Sequence, residues 1–174
     1  MNPVQRRLTV DVFALARDRG VIEGELPLDR LPRLALSVVR AAGALRYRIG
    51  GEIDSQGHPG AEMQLSGDLL LQCQRCSGEI SYPLHRTARF RFVESDEELA
   101  AVPIVDDDVD VIVGSHSMAV APWVEDEAIL SLPVVPRHDD CQPDYVEDAR
   151  PDAESDRPNP FAALAVLKAA RKPG

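Results

Sequence analysis

Residues 79–94 read EISYPLHRTARFRFVE, and the alternation in this stretch decides the fold. In an extended chain Ala88, Phe90 and Phe92 fall on one side, and Thr87, Arg89 and Arg91 on the other. Period-two alternation with one wet face is the pattern of a strand in an antiparallel sheet. Upstream, AEMQLSGDLLLQC (61–73) alternates at first through Met63 and Leu65. ALRYRIGGEI (44–53) sets Leu45, Tyr47 and Ile49 against Arg46 and Arg48, and VIEGELPL (21–28) alternates likewise. The stretch between the 61–73 and 79–94 strands, Cys73 to Gly78, is then a turn.

Further out the periods change. LTVDVFALAR (8–17) suits a strand running into a short helix. DRLPRLALSVVR (29–40) places Leu31, Leu34 and Val38 at helical spacing, with Asp29 as N-cap and Pro32 in the first turn. Residues 94–110 (ESDEELAAVPIVDDDVD) form an acidic stretch, and DVDVIVG and SMAVAP follow as two short strands. PWVEDEAILSLP (122–133) predicts a helix with Val124, Ala128, Ile129 and Leu132 as its buried stripe. Its Glu125, Asp126 and Glu127 lie near the N-terminal end, where the helix dipole favours anions. Residues 134–160 are polar, acidic and proline-rich and predict a long loop, disordered after about residue 143. NPFAALAVLKAARK (159–172) predicts a helix that is marginal alone and needs a docking surface.

The expected architecture is therefore α+β. One domain over 1–142 carries an antiparallel sheet, open or barrel-like, flanked by short helices. An acidic flexible linker (143–157) and a C-terminal helix (158–174) follow. Phe161, Leu164 and Leu167 of that helix are its candidate partner-binding residues.

At 174 residues, 44% apolar and 28% charged, the chain can fill one real core. No stretch approaches the roughly 20 apolar residues of a spanning helix, and the first twenty residues lack the apolar core of a secretory signal. Three cysteines argue against a disulfide framework. The expectation is a soluble cytoplasmic protein with reduced thiols and no membrane partner. The net charge of −10 is unevenly spread: residues 1–92 carry +3, residues 93–157 carry −16, and residues 158–174 carry +3. The acidic part serves solubility or attracts a basic partner. Such a balance disfavours a large nucleic-acid footprint, and DNA is not an expected partner.

Two stretches bear on chemistry. Cys73-x-x-Cys76 is half of a metal site or a turn whose thiols pack as small apolar groups. His138 and Cys141, three apart between Pro136 and Pro143, offer the missing half. Together they would make a Cys₃His set that clips the 134–141 loop to the 73–78 turn, with one structural zinc as the implied cofactor. Arg75, Arg86, Arg89 and Arg91, with Arg46 and Arg48, line one edge of the sheet for an RNA phosphate or form a solvated strand face. DDDVD (106–110) reads as a solvated loop, because catalytic carboxylates converge from separate elements. There is no glycine-rich phosphate loop and no Ser-His-Asp arrangement.

Three stretches in order, CQRC (73–76), VEDEAILSLPVVPRHDDC (124–141) and PNPFAALAVLK (158–168), resemble the large ribosomal RNA subunit accumulation protein family, the YceD-like proteins. The likeness extends to LPRL (31–34). It implies a part in the synthesis, processing or stability of the large-subunit (23S) ribosomal RNA. It also implies a second cysteine pair in some relatives where this chain has His138 and Cys141, which supports those positions as ligands. Two functions are then expected in competition. One is a non-enzymatic ribosome-biogenesis factor that binds a large-subunit ribosomal protein, a pre-50S particle or a 23S rRNA segment. The other is a metal-dependent enzyme acting on precursor 23S rRNA.

Overall fold

The computed structural model describes residues 9–103 and 108–143. The acidic linker expected beyond residue 143 and the expected C-terminal helix with Phe161, Leu164 and Leu167 lie outside the described residues. The centre is a five-stranded sheet in the order β2 (Val21–Pro27), β3 (Ala44–Ile53), β4 (Pro59–Gln72), β5 (Glu79–Val93) and β6 (Val109–Val113). A two-stranded antiparallel ribbon joins β1 (Thr9–Val10) to β7 (Met118–Ala119). The helices are α1 (Val12–Arg17), α2 (Pro32–Ala35), α3 (Asp96–Ala101) and α4 (Val120–Leu130). None of them is long and apolar enough to cross a membrane.

The alternation sets the two faces. Leu45, Tyr47 and Ile49 of β3, Ala61, Met63 and Leu65 of β4, and Leu84, Ala88, Phe90 and Phe92 of β5 are all buried on one face. There they meet Val12 and Leu15 of α1, Leu34 of α2, and Trp123, Val124 and Ala128 of α4. Trp123 sits edge-on to Phe90 and Phe92, with ring centroids 5.0 and 5.9 Å away. Each such large apolar side chain contributes about 1.5–3 kcal/mol by leaving water. The opposite face, with Arg46, Arg48, Gln64, Thr87 and Arg89, is exposed. The fold is thus α+β, and among the described residues the sheet is open and does not close into a barrel: the helices cover the apolar face that a barrel would close over.

Three local expectations are corrected. β6 pairs with β5 in parallel, not antiparallel. A parallel neighbour needs a crossover, and the crossover contains α3, a helix in what reads as an acidic stretch. Ser95 caps α3 by accepting from Glu98 N–H (3.2 Å), while the Glu98 carboxylate accepts from Glu94 N–H (2.8 Å). The helix expected over 29–40 shrinks to a 3₁₀ turn (Leu28–Arg30) and the four residues of α2. Asp29 does not cap it. Beyond α2 the chain leaves the helix, and Val39 N–H donates to the Leu70 carbonyl (2.7 Å) at the margin of β4. Finally, α4 begins two residues earlier than expected, so Glu125 and Glu127 fall beyond its first turn and are buried.

Candidate metal centre

The β4–β5 turn is built by its own backbone. Cys73 N–H donates to the Gly78 carbonyl (2.8 Å), and Ser77 N–H donates to the Cys73 carbonyl (3.0 Å). Ser77 takes a left-handed conformation (φ +57°) to make the bend. Gly78 lies against the site, where a Cβ would stand 3.4 Å from Cys76 Sγ and 3.7 Å from His138 Cε1.

The second half arrives after α4. Tyr82 donates its hydroxyl hydrogen to the Ser131 carbonyl (3.0 Å), which fixes the start of the loop on β5. Gln74 N–H donates to the Pro136 carbonyl (2.9 Å), and Arg75 Nη1 donates to the Cys141 carbonyl (3.1 Å). These bonds press the loop onto the turn. Cys73, Cys76, His138 and Cys141 then present four ligand atoms that all lie within 4.8 Å of one another.

Two of the edges have the length expected of a tetrahedral centre. Cys73 Sγ is 3.6 Å from Cys141 Sγ, and Cys76 Sγ is 3.4 Å from His138 Nδ1. A tetrahedral zinc with ordinary bond lengths has S···S edges of about 3.7 Å and S···N edges of about 3.5 Å. His138 Nε2 is 3.1 Å from the Glu79 carbonyl, which only accepts. That nitrogen therefore carries the hydrogen, and Nδ1 turns its lone pair toward the sulfurs. Burial pushes the Cys73 thiol up, but the N–H groups of Cys76, Arg75 and His138 and the Cys76 thiol outweigh it and bring Cys73 down to about 5. Burial, with hydrogen bonding to Cys73 and Cys76, raises Cys141. A metal ion would replace this uneven sharing of protons by three thiolates. The residues present fit such an ion, and all four corners are supplied by protein.

The expected arginine edge is assembled only in part: Arg46, Arg48, Arg89 and Arg91 share the solvent face of the sheet, and Arg75 and Arg86 leave it. Arg75 belongs to the clip through the Cys141 carbonyl. Arg86 points to the helical face and donates from Nε to the Glu127 carboxylate (2.7 Å), which is 3% exposed. Arg89 and Arg91 share the solvent face, where Arg89 lies 3.8 Å from Glu62 and Arg91 Nε is buried without a partner among the described residues. Arg46 is taken by Glu25 (2.8 Å).

A second junction escaped the sequence. The Glu125 carboxylate accepts from Arg33 N–H (2.7 Å), Leu34 N–H (3.1 Å) and the Arg33 guanidinium, and Asp126 also pairs with Arg33. Glu125 thus caps α2 from another helix. The signal lay in LPRL and VEDE, two acid–base-complementary stretches that spacing alone does not join.

The family model described as "Large ribosomal RNA subunit accumulation protein YceD" matches residues 61–168. The chain belongs to the YceD family. The match spans both halves of the clip. A relative of the same description from Haemophilus influenzae is 29% identical over 173 residues, covering 97% of this chain and 99% of its own length. No solved structure matches this YceD-family chain.

Proposed function

We propose that this YceD-family chain supports the accumulation of large-subunit (23S) ribosomal RNA in the cytoplasm as a non-enzymatic assembly factor. It binds a basic large-subunit ribosomal protein within pre-50S particles. Family membership across residues 61–168 carries the process. The choice of a basic protein over RNA rests on charge. The chain is −10 overall, and four of the six arginines expected to meet phosphate, Arg86, Arg89, Arg46 and Arg75, are instead drawn to Glu127, Glu62, Glu25 and the Cys141 carbonyl. The Cys/His set holds one structural zinc that clips the acidic second half to the sheet. Three sulfurs and one imidazole favour zinc over the hard cations of phosphoryl chemistry.

The test is co-sedimentation of purified protein with pre-50S particles at low and moderate salt. Salt-sensitive binding, retained after RNase treatment through a basic protein, is expected. Recovery with naked 23S rRNA alone would transfer the role to RNA. Cleavage of precursor 23S rRNA by the pure protein with Mg²⁺ or Mn²⁺ would overturn the non-enzymatic reading. Native mass spectrometry tests the clip: about one zinc per chain, absent from Cys73→Ser, is expected, and a metal-free wild type would remove it.

A further inference from the structure

The outer edge of β2 is an open strand position among the described residues. Which of its backbone groups face outward follows from the register. β2 and β3 pair without a bulge from Val21 opposite Gly50 to Pro27 opposite Ala44. The same register continues at both ends: Gly51 N–H donates to the Gly20 carbonyl (2.8 Å), and Leu28 N–H donates to the Gly43 carbonyl (3.0 Å). Hydrogen-bonded residues alternate along an antiparallel ladder. So Ile22, Gly24 and Leu26 turn their backbone groups to β3. Val21, Glu23 and Glu25 turn N–H and C=O outward, and Pro27 falls where its missing N–H breaks no bond.

The side chains on this edge carry one sign. Glu23 and Glu25 are exposed on the solvent face, each opposite an arginine of β3: Glu23 faces Arg48, and Glu25 faces Arg46. Acid on β2 and base on β3 make two rows of alternating charge, with a groove of about 620 Å³ between them reaching from Glu23 and Glu25 to His85 and Thr87. A sixth strand continues those rows if it sets a basic residue opposite each acid. A second copy of β2, antiparallel, would set glutamate against glutamate, so the edge rejects its own kind.

We propose that the β2 edge receives an extended basic segment of a partner protein as a sixth strand, with Lys or Arg at alternate positions opposite Glu23 and Glu25. Main-chain bonds to Val21, Glu23 and Glu25 give the affinity, and the two acids give the choice of partner. The proposal rests on the reading above for the partner's class and adds where and how that partner binds.

The probe is an eight-residue peptide of alternating lysine and valine, titrated into the full chain, with amide exchange read residue by residue. Binding that slows exchange at Val21, Glu23 and Glu25 is expected. Glu23→Lys, which leaves the backbone alone, is expected to weaken it by about tenfold through reversal of one cross-strand charge pair. Val21→Pro, which removes only an outward N–H, should weaken it similarly. Peptide binding that leaves those three amides unprotected, or that both variants leave unchanged, overturns the edge. The same variants are then mixed with pre-50S particles. If wild type and both variants bind particles alike, the edge falls and the proposed function stands. If the wild type binds no particles, that function falls, and the peptide titration alone decides the edge.

Discussion

Glu125 is 4% exposed, yet its carboxylate meets four donors: two backbone N–H groups of α2 and two nitrogens of the Arg33 guanidinium. A helix of four residues cannot form on propensity. It exists because an acid 92 residues away fills the place of its missing cap. Glu125→Ala is expected to cost about 2–3 kcal/mol, since the first-turn N–H groups lose their acceptor and Arg33, half exposed, loses one of its two carboxylate partners. Glu125→Gln, which keeps one acceptor, should cost less. Urea unfolding of both variants checks this, and a loss below about 0.5 kcal/mol for the alanine variant would refute the cap. The sequence displayed both members of this junction but no link between them. Arg86 is a different case. It shares parity with Ala88 and Phe90 in EISYPLHRTARFRFVE, so the alternation already put it on the helical face, and grouping it with Arg89 and Arg91 set that parity aside.

At the level of elements, the alternating runs were legible because the sheet buries only one face, and each strand wears that asymmetry. Strand direction was not legible: a period of two is the same for parallel and antiparallel neighbours, and the parallel β6 is fixed by the crossover through α3. That crossover had a readable start, since Ser95 and Glu98 stand at capping-box spacing. The helix expected over 29–40 stopped early because Val39 found a backbone partner on β4, a tertiary bond that helical spacing does not report. How α1 packs also depends on one missing side chain. A Cβ on Gly51 would collide with the backbone of Leu15, so α1 lies directly on β3 at that point. Gly51→Ala is expected to destabilise by about 2–4 kcal/mol by lifting the helix. The neighbouring Gly50→Ala, whose Cβ meets only the tip of Arg48 at 3.9 Å, should lie within about 1 kcal/mol of wild type. Equal effects at the two positions in thermal unfolding would show that strand propensity, not the helix contact, governs both.

For the whole molecule, the clip was the most legible part of the site because cysteine is scarce here, with three in 174 residues, and each spacing therefore carries information. The geometry added what spacing lacked: the Glu79 carbonyl that sets the His138 tautomer, and the Pro136 and Cys141 carbonyls that hold the loop. With zinc in place, chelation is expected to lower the unfolding midpoint by about 10 °C, and Cys73→Ser to lower it without further response to chelator. An unchanged midpoint on chelation would show that the turn and loop hold without metal.

The clip, the α2 cap and the β1–β7 ribbon share one property. Each joins an early part of the chain to residues after Ser117. On a ribosome, where the chain appears from its N-terminus, β2 to β5 can pair while synthesis continues. β1 and α2 must wait for strands and side chains not yet made. The last fifth of the described chain is therefore the step that turns a meander of hairpins into a finished domain, and it does so at three places at once.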